Sequence, residues 1–308
     1  MRKTSLNMVY ELAKKDERVL FIGSDLGPGV LNNFKKDFPD RFFMEGIAEQ
    51  HIIGMAAGLA FDGFIPYVNT IAVFLTRRCF EQVALDLCLH NLPVRLIGNG
   101  GGLVYAPLGP THQAIEDIGI LRTLPNMTIV APCDADEMQR LMIASLDWPH
   151  PLYIRLAKGG DSMISKAELG FEIGKGINLR KGNNITFVTT GITAQRANDA
   201  CLKLSDDKIE CGLFHMHTIK PFDHAGLIKA TESADLVITI EEHVLNGGLG
   251  SAVLESFSDH GIIKKVVRMG IPDVFASQYG SQDIIMEGFG LDSTNIVKTV
   301  EKLIKNKL

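Results

Sequence analysis

Short hydrophobic runs alternate along this chain with stretches whose apolar residues recur at helical spacing. Runs typical of buried strands lie at 19–23, 65–68, 94–97, 127–131, 152–156, 185–191, 209–215, 236–242 and 264–270. Helical patterns lie at 4–15, 74–89, 134–147, 193–204, 223–233, 248–259 and 293–306. Strands that alternate with helices in this way are typical of parallel sheets covered by helices. We therefore predict an α/β protein.

The alternation is interrupted between 159 and 184, where glycine, lysine and short polar pieces replace it. The chain has 308 residues, which is enough for two domains. We predict an N-terminal domain at 1–165, a linker at 166–184 and a C-terminal domain at 185–308. Each domain is expected to be a mainly parallel sheet flanked by helices.

One stretch, FFMEGIAEQHIIGMAAGLAFDG at 42–63, combines a helical pattern with an isolated carboxylate. The apolar positions that share one helical face are Ile52, Ala56, Leu59 and Ala60. Gly54 and Gly58 would let another backbone approach closely. Glu49 then lies at the start of a mostly buried helix, where a bare carboxylate is costly. Its spacing alone leaves two interpretations open, a functional carboxylate or a helix-end charge favoured by the macrodipole.

Three glycine-containing loops follow predicted strands or open predicted helices. Residues 24–29 form a loop at the carboxyl end of a strand, where open α/β sheets bind ligands. Gly109 to Gln113 is predicted to open a helix. The NGGLG segment at 246–250 lacks the features of a phosphate-binding loop, so it predicts tight packing of a helix on a strand. Asp134 is predicted to cap the helix that follows it.

Composition narrows the class of protein. Apolar residues make up 46% and charged residues 22% of the chain, which indicates a large core. The net charge of -5 gives no electrostatic reason to expect nucleic acid or an anionic membrane as a partner. Five cysteines show no metal-binding spacing, and the start of the chain does not resemble a signal peptide. We expect a soluble protein of the cytoplasm.

Several motifs in a fixed order resemble one enzyme family. GIAEQH, AAGLA, the 74–83 helix, GPTHQAIED and LPNMTIVAP are similar to the C-terminal half of transketolase and to deoxyxylulose-phosphate synthase. HTIKPFD at 217–223 and EEHVLNGGLG at 241–250 resemble the transketolase C-terminal domain. The resemblance covers essentially the whole chain, and it implies a pyrimidine-binding domain followed by a transketolase C-terminal domain.

The resemblance implies thiamine diphosphate as cofactor and gives Glu49 a catalytic role. In the family, a buried carboxyl shares a proton with the pyrimidine ring of this cofactor and so activates its thiazolium carbon. Phe74 matches the aromatic residue that stacks on the pyrimidine, and Ile71 falls where the family usually has another aromatic wall. Arg77 matches an arginine of the deoxyxylulose-phosphate synthase branch. Asp25 matches an aspartate beside the cofactor.

Substrate-binding residues are implied in the same way. His112 matches a catalytic histidine that contacts the hydroxyl or carbonyl of the donor. Arg2 and Lys158 match two arginines that bind the sugar phosphate, and the lysine would act there as a point charge.

Three positions depart from the family pattern. Leu108 replaces an aspartate that contacts the donor hydroxyl, Gly100 replaces a phosphate-contacting histidine, and Gly29 replaces a phosphate-contacting serine. Because losing polar groups changes substrate choice strongly, we expect a sugar or 2-oxo acid other than the common pentose phosphates.

The chain also lacks the G-D-G…N motif that holds the cofactor diphosphate through Mg²⁺. We therefore expect a split enzyme, a transketolase-like transferase that moves a two-carbon ketol or acyl unit between sugar-type substrates. A separate N-terminal-type subunit would hold the diphosphate and the metal, in an α2β2 assembly, and this chain would dimerise. Two alternatives remain: the β subunit of a 2-oxo acid dehydrogenase decarboxylating component, and a non-catalytic scaffold subunit.

Overall fold

Two mainly parallel sheets, each flanked by helices, form the protein, which confirms the predicted fold class. It is a computed structural model that describes residues 1–23, 29–44, 46–160 and 162–306. The strands are β1 Val19–Gly23, β2 Phe42–Met44, β3 Ile65–Ile71, β4 Arg95–Asn99, β5 Thr128–Val130, β6 Leu152–Leu156, β7 Ile177–Arg180, β8 Ile185–Thr189, β9 Cys211–His215, β10 Thr218–Lys220, β11 Leu236–Val244 and β12 Lys265–Ile271. The α-helices are α1 Arg2–Lys15, α2 Asn32–Asp37, α3 Glu49–Phe61, α4 Phe80–Gln82, α5 Asp117–Arg122, α6 Ala135–Ser145, α7 Thr193–Asp206, α8 His224–Ala230, α9 Leu249–Asp259, α10 Gln282–Gly288 and α11 Ser293–Lys305.

The first sheet has seven strands in the order β10-β5-β6-β4-β3-β1-β2, and the second has five in the order β12-β11-β8-β9-β7. All neighbours are parallel except β10 against β5 and β7 against β9, so each sheet has one antiparallel edge. β1, β4, β6, β8 and β9 are buried throughout, as parallel strands covered by helices on both faces should be. None of the described helices is long and apolar enough to cross a membrane.

Two short strands that were not predicted concern the proposed domain boundary. β7 lies inside the segment 166–184 that was predicted to be a linker, and it joins the second sheet at its edge. β10 comes from the predicted C-terminal domain but pairs with β5, so it completes the first sheet. Strands of three or four residues at a sheet edge leave little periodicity in the sequence, which is why they escaped detection.

Two helix predictions were wrong in detail. The predicted helix at 74–89 consists of a π-helix at Phe74–Arg78, the short α4, and a second π-helix at Val83–Leu89. The helix predicted to open at Gly109 begins instead at Asp117. Residues 109–116 remain a loop because Ala114 forms β-bridges with Gly101 and Gly102.

Two predictions about helix starts are confirmed. The side chain of Asp134 accepts a hydrogen bond from the backbone N–H of Glu137 at 2.9 Å and so caps α6. At the start of α9, the buried Glu241 carboxylate accepts hydrogen bonds from the N–H groups of Leu249 at 2.6 Å and Gly250 at 2.9 Å. A side chain at Gly248 would collide with this carboxylate, so the NGGLG segment serves tight packing, as predicted.

Buried polar contacts join the two halves. The Arg155 guanidinium on β6 donates to the Asp117 carboxylate at 2.8 Å and to the Glu242 carbonyl oxygen on β11 at 2.9 Å. Glu137 on α6 and His215 on β9, both fully buried, lie 2.9 Å apart. Burial alone would raise the pKa of Glu137, but His215 and other hydrogen bonds lower it to about 2. The junction is therefore part of the core.

Candidate active site

Glu49 lies where the sequence predicted it, at the first residue of α3. Its side chain is only 4% exposed, and its Oε2 accepts a hydrogen bond from Nη1 of Arg78 at 2.7 Å. Ile52, Ala56 and Ala60 are buried on the expected face of this helix. Gly54 and Gly58 are exposed, so within the described residues no second backbone packs against them. The carboxylate is thus buried, and its partner is one half-exposed arginine.

Phe74 begins the π-helix that follows β3. Its half-buried ring packs in a small apolar cluster with Ile71, Ala72, Val73 and Ala114. A π-helix has more residues per turn than an α-helix, and such turns are frequent at functional sites. Ile71 and Phe74, predicted as two walls of one pocket, therefore lie together at the carboxyl end of β3.

His112 lies in the 109–116 loop and faces the same ring. The His112 and Phe74 ring centroids are 5.3 Å apart in an edge-to-face arrangement. Nδ1 of His112 is 2.9 Å from the Thr111 hydroxyl, which orients the imidazole. The structure therefore brings Glu49, Phe74 and His112 into one region, joined through the Phe74 ring and Arg78.

Arg77 contacts both ends of the 109–116 loop. Its Nε pairs with the Glu116 carboxylate at 2.9 Å, and its Nη2 is 3.4 Å from the Pro110 carbonyl oxygen. Burial raises the pKa of Glu116, although Arg77 opposes this effect. A cavity of about 300 Å³ opens beside this pair, with walls that include Val274 and Phe275 from the second half. It lies beside Arg77 and does not include Glu49 or Phe74.

The chain segments that carry Arg2 and Lys158 lie close together. Arg2 is the first residue of α1, and the backbone nitrogen of Met1 is 2.9 Å from the position that a Cβ on Gly159 would take. Lys158 is exposed and Arg2 is half-buried. Asp25, the remaining predicted cofactor residue, lies outside the described residues.

The positions that depart from the family pattern have distinct surroundings. Gly100 adopts φ +77, and a Cβ there would collide with the ring of Tyr105. Tyr105 therefore occupies the space that a longer side chain at position 100 would use. Leu108 is 53% exposed at the end of a short 3₁₀ helix, Ala106–Leu108. Gly29 also has positive φ, at +81, and a Cβ there would lie 3.8 Å from Asn32.

Sequence reasoning missed Arg78, Tyr105 and Glu116. Arg78 contacts Phe74 four residues earlier, a spacing that was visible in the sequence. Its second contact, with Glu49, lies 29 residues away and depends on how the π-helix packs against α3. Tyr105 and Glu116 likewise acquire their roles from loop conformation.

A second buried cluster contains side chains of the types that bind metals. Cys133, Glu137 and His215 offer ligand atoms within 4.8 Å of one another. The Glu137 carboxylate already accepts hydrogen bonds from the backbone N–H of Cys133 at 2.7 Å and the Ser165 hydroxyl at 3.1 Å. With His215 as a third partner, hydrogen bonds alone account for this cluster.

The fold and site together define a class of α/β protein with a buried acid, an aromatic ring and a histidine at the carboxyl edge of a parallel sheet. Comparison with known proteins assigns the family. Residues 1–160 match the transketolase pyrimidine binding domain, and residues 174–296 match the transketolase C-terminal domain. The chain belongs to the transketolase family.

Relatives of the same length include two split proteins. The chain is 35% identical over 99% of its length to one subunit of the apulose-4-phosphate transketolase of Phocaeicola vulgatus, covering 97% of that protein. It is 36% identical over its full length to a putative transketolase C-terminal section of Methanocaldococcus jannaschii, again covering 97% of the relative.

A longer relative and a solved structure extend the comparison. The chain is 36% identical over 94% of its length to the 1-deoxy-D-xylulose-5-phosphate synthase of Caldanaerobacter subterraneus subsp. tengcongensis, of which it spans 46%. A solved structure described as a split gene transketolase in an inactive β4 tetramer superposes with a TM-score of 0.89 at 34% identity. That superposition covers 98% of this chain and 97% of the other.

Proposed function

We propose that this chain is the pyrimidine-binding subunit of a split, thiamine-diphosphate-dependent transketolase. The observation that carries the proposal is the buried Glu49 carboxylate, which shares one partner, Arg78, with the exposed face of the Phe74 ring. A buried carboxylate without a buried partner is costly, so its presence beside an aromatic face supports a function. Both relatives named as sections or subunits of transketolases support the split arrangement.

The described residues fit an aminopyrimidine. Such a ring needs an apolar surface for stacking and a carboxyl group at its edge. In our proposal, Phe74 and Ile71 provide the surface, and Glu49 holds a proton at the ring nitrogen. The family resemblance also assigns Arg77 and Asp25 to cofactor binding. When bound, thiamine diphosphate supplies a nucleophilic carbon that cleaves a bond next to a ketone.

Substrate contacts are assigned to the histidine loop and to two cations. His112 would present its Nε2 to the donor oxygen, since its Nδ1 is engaged with the Thr111 hydroxyl. Arg2 and Lys158 would bind a sugar phosphate through charge-assisted hydrogen bonds. Leu108, Gly100 and Gly29 stand in place of polar contacts. We therefore expect the donor of the two-carbon unit to be a sugar or 2-oxo acid other than the common pentose phosphates.

The proposal places Mg²⁺ and the cofactor diphosphate on a partner subunit of the N-terminal transketolase type. Two copies of each chain would form the complete enzyme, with each active site between unlike chains. The solved relative described as an inactive β4 tetramer supports self-association of this kind of chain.

Calorimetric titration tests the proposal. Thiamine diphosphate with Mg²⁺ is titrated into the chain alone and into the complex with its copurified partner. We expect binding in the complex and at least tenfold weaker binding, or none, in the chain alone. Tight binding by the chain alone would contradict the split site, and absence of binding in both would contradict the cofactor assignment.

A further inference from the structure

Arg78 makes two contacts at once on the site surface. Its guanidinium carbon lies over the Phe74 ring, 4.0 Å from the ring centroid. Nη1 of the same guanidinium donates to Oε2 of Glu49 at 2.7 Å. The planar guanidinium of Arg78 thus covers the face of the Phe74 ring and, at the same time, donates a hydrogen bond to the buried Glu49 carboxylate.

These are the two contacts that a bound aminopyrimidine would make. A planar ring that stacks on this face of Phe74 and shares a proton with Oε2 of Glu49 would take the position of the guanidinium. The guanidinium and the pyrimidine therefore compete for one volume. This step rests on the proposed function, because it takes the pyrimidine of thiamine diphosphate as the ligand.

We propose that Arg78 closes the cofactor site of the free chain as a ligand of its own protein, and that the pyrimidine displaces it. The closure satisfies Glu49, which would otherwise be a buried charge without a partner. Arg78 can leave at little cost because its side chain is 43% exposed and regains water on departure. Glu49 is not left without a partner in this exchange, because the pyrimidine takes the place of Arg78, and a half-exposed cation on an aromatic ring contributes little.

The geometry around Arg78 allows a local movement. The Nε2 of Gln50 donates to the backbone carbonyl oxygen of Arg78 at 3.1 Å, which fixes its backbone to α3. Only the side chain has to rotate outward, while Phe74 and Glu49 keep their positions. The free chain is thereby stable with a closed site, and a competing ligand opens it.

The experiment compares two half-exposed arginines that each pair with one carboxylate. Arg78→Met removes the closing group, and Arg18→Met removes the Arg18–Asp16 pair of 2.6 Å on a surface away from Glu49 and Phe74. The probe for the chain alone is 4-amino-5-hydroxymethyl-2-methylpyrimidine, the ring half of thiamine, and its Kd is measured by ligand-observed NMR. Thiamine diphosphate with Mg²⁺ is the calorimetric probe for the complex.

We expect Arg78→Met to bind the pyrimidine probe about tenfold more tightly than the wild type, the combined strength of the two lost contacts. Arg18→Met should bind like the wild type. Arg78→Lys keeps a cation for Glu49 but loses the planar stacking, so about threefold tighter binding is expected. This variant keeps the test valid if Arg78→Met does not fold.

Unchanged or weaker binding by the Arg78 variants, with either probe, overturns the closure. If the wild-type complex binds thiamine diphosphate in that case, the proposed function stands and only the role of Arg78 is wrong. If no variant and no complex binds either probe, the proposed function fails and the closure fails with it.

Discussion

Two buried carboxylates at helix starts, Glu49 in the first half and Glu241 in the second, have opposite surroundings. The Glu241 carboxylate accepts hydrogen bonds from two backbone N–H groups of α9. The helix start lies so close to it that a side chain at Gly248 would collide with the carboxylate. Burial raises its pKa to about 7. Glu49 meets one half-exposed arginine beside an aromatic face. The Glu241 carboxylate is bound to the backbone of a helix start, whereas the Glu49 carboxylate is bound only to a side chain that a ligand could replace.

The kind of partner decides whether a buried carboxylate serves stability or can serve function. A carboxylate whose partners are backbone groups cannot be released without breaking the fold. A carboxylate whose partner is a surface side chain can exchange that partner for a ligand. Two glycines, Gly247 and Gly248, directly precede α9, whereas the segment before α3 has only Gly46.

The largest effect should come from Glu49→Gln in the reconstituted enzyme. Glutamine keeps the size but cannot exchange a proton, so turnover should fall about 10³-fold, within the range for lost acid–base catalysis. Initial rates with a ketose donor measure it. Glu241→Gln is the matched control and should keep wild-type turnover. Turnover of Glu49→Gln within tenfold of the wild type would contradict the role of this residue.

Acid should weaken the packing around His217, whose buried ring stacks on Phe171 in the segment between the two halves. Burial lowers the pKa of His217 from 6.5 to about 4. The folded protein keeps this ring neutral while the unfolded chain protonates it, so stability is lost as pH falls from 6.5 towards 4. At pH 5 the loss should be about 2 kcal/mol.

Urea unfolding at pH 7 and pH 5 measures this loss. Other buried groups, Glu241 among them, also titrate between these pH values, so the contribution of the histidine is the difference between the wild type and His217→Gln. His217→Gln should show a drop smaller by about 2 kcal/mol between the two pH values. An equal drop in wild type and variant would show that other groups cause the acid sensitivity.

The same substitution at both carboxylates tests the comparison directly. Glu241→Ala leaves two buried N–H groups unsatisfied and should lower the free energy of unfolding by about 2 kcal/mol. Glu49→Ala in the free chain leaves only the half-exposed Arg78, so a change of less than about 1 kcal/mol is expected. Denaturant titration of both variants measures the two values. Equal losses would mean that Glu49 is a structural residue like Glu241.

The smallest effect should come from Gly58, which is compared with Gly248. Gly248→Ala adds a methyl group against the Glu241 carboxylate and should destabilise by about 1–3 kcal/mol. Gly58→Ala adds one in an exposed helix where no atom lies within 4 Å, and should stabilise by about 0.5–1 kcal/mol. Thermal unfolding of the free chain measures both. A loss of stability at Gly58 would indicate that another chain packs there.

Regular elements could be predicted where one kind of local pattern continues for five residues or more. β1, β6 and α6 with its Asp134 cap follow their predictions closely. The π-helices at 74–89 could not be foreseen, because one added residue per turn hardly changes the apolar spacing. The edge strand β10 forms only because it pairs with β5, which lies in the other half of the sequence.

In the candidate site, too, some residues could be identified from the sequence and others only from the structure. Glu49, Phe74 and His112 belong to motifs with a fixed order, so a resemblance identified them, and the structure brings them together. Arg78 lies in the 74–83 segment, but the resemblance assigned it no role. The position of the Tyr105 ring over Gly100 depends on one loop conformation.

By itself, the sequence determined the α/β class, the order of the elements and the presence of a nearly isolated acid at a helix start, because these depend on local spacing and composition. Only the tertiary structure decided what that acid meets, where β10 pairs and what fills the space at Gly100. Contacts between residues 29 or more positions apart arise from packing, and no local pattern records them.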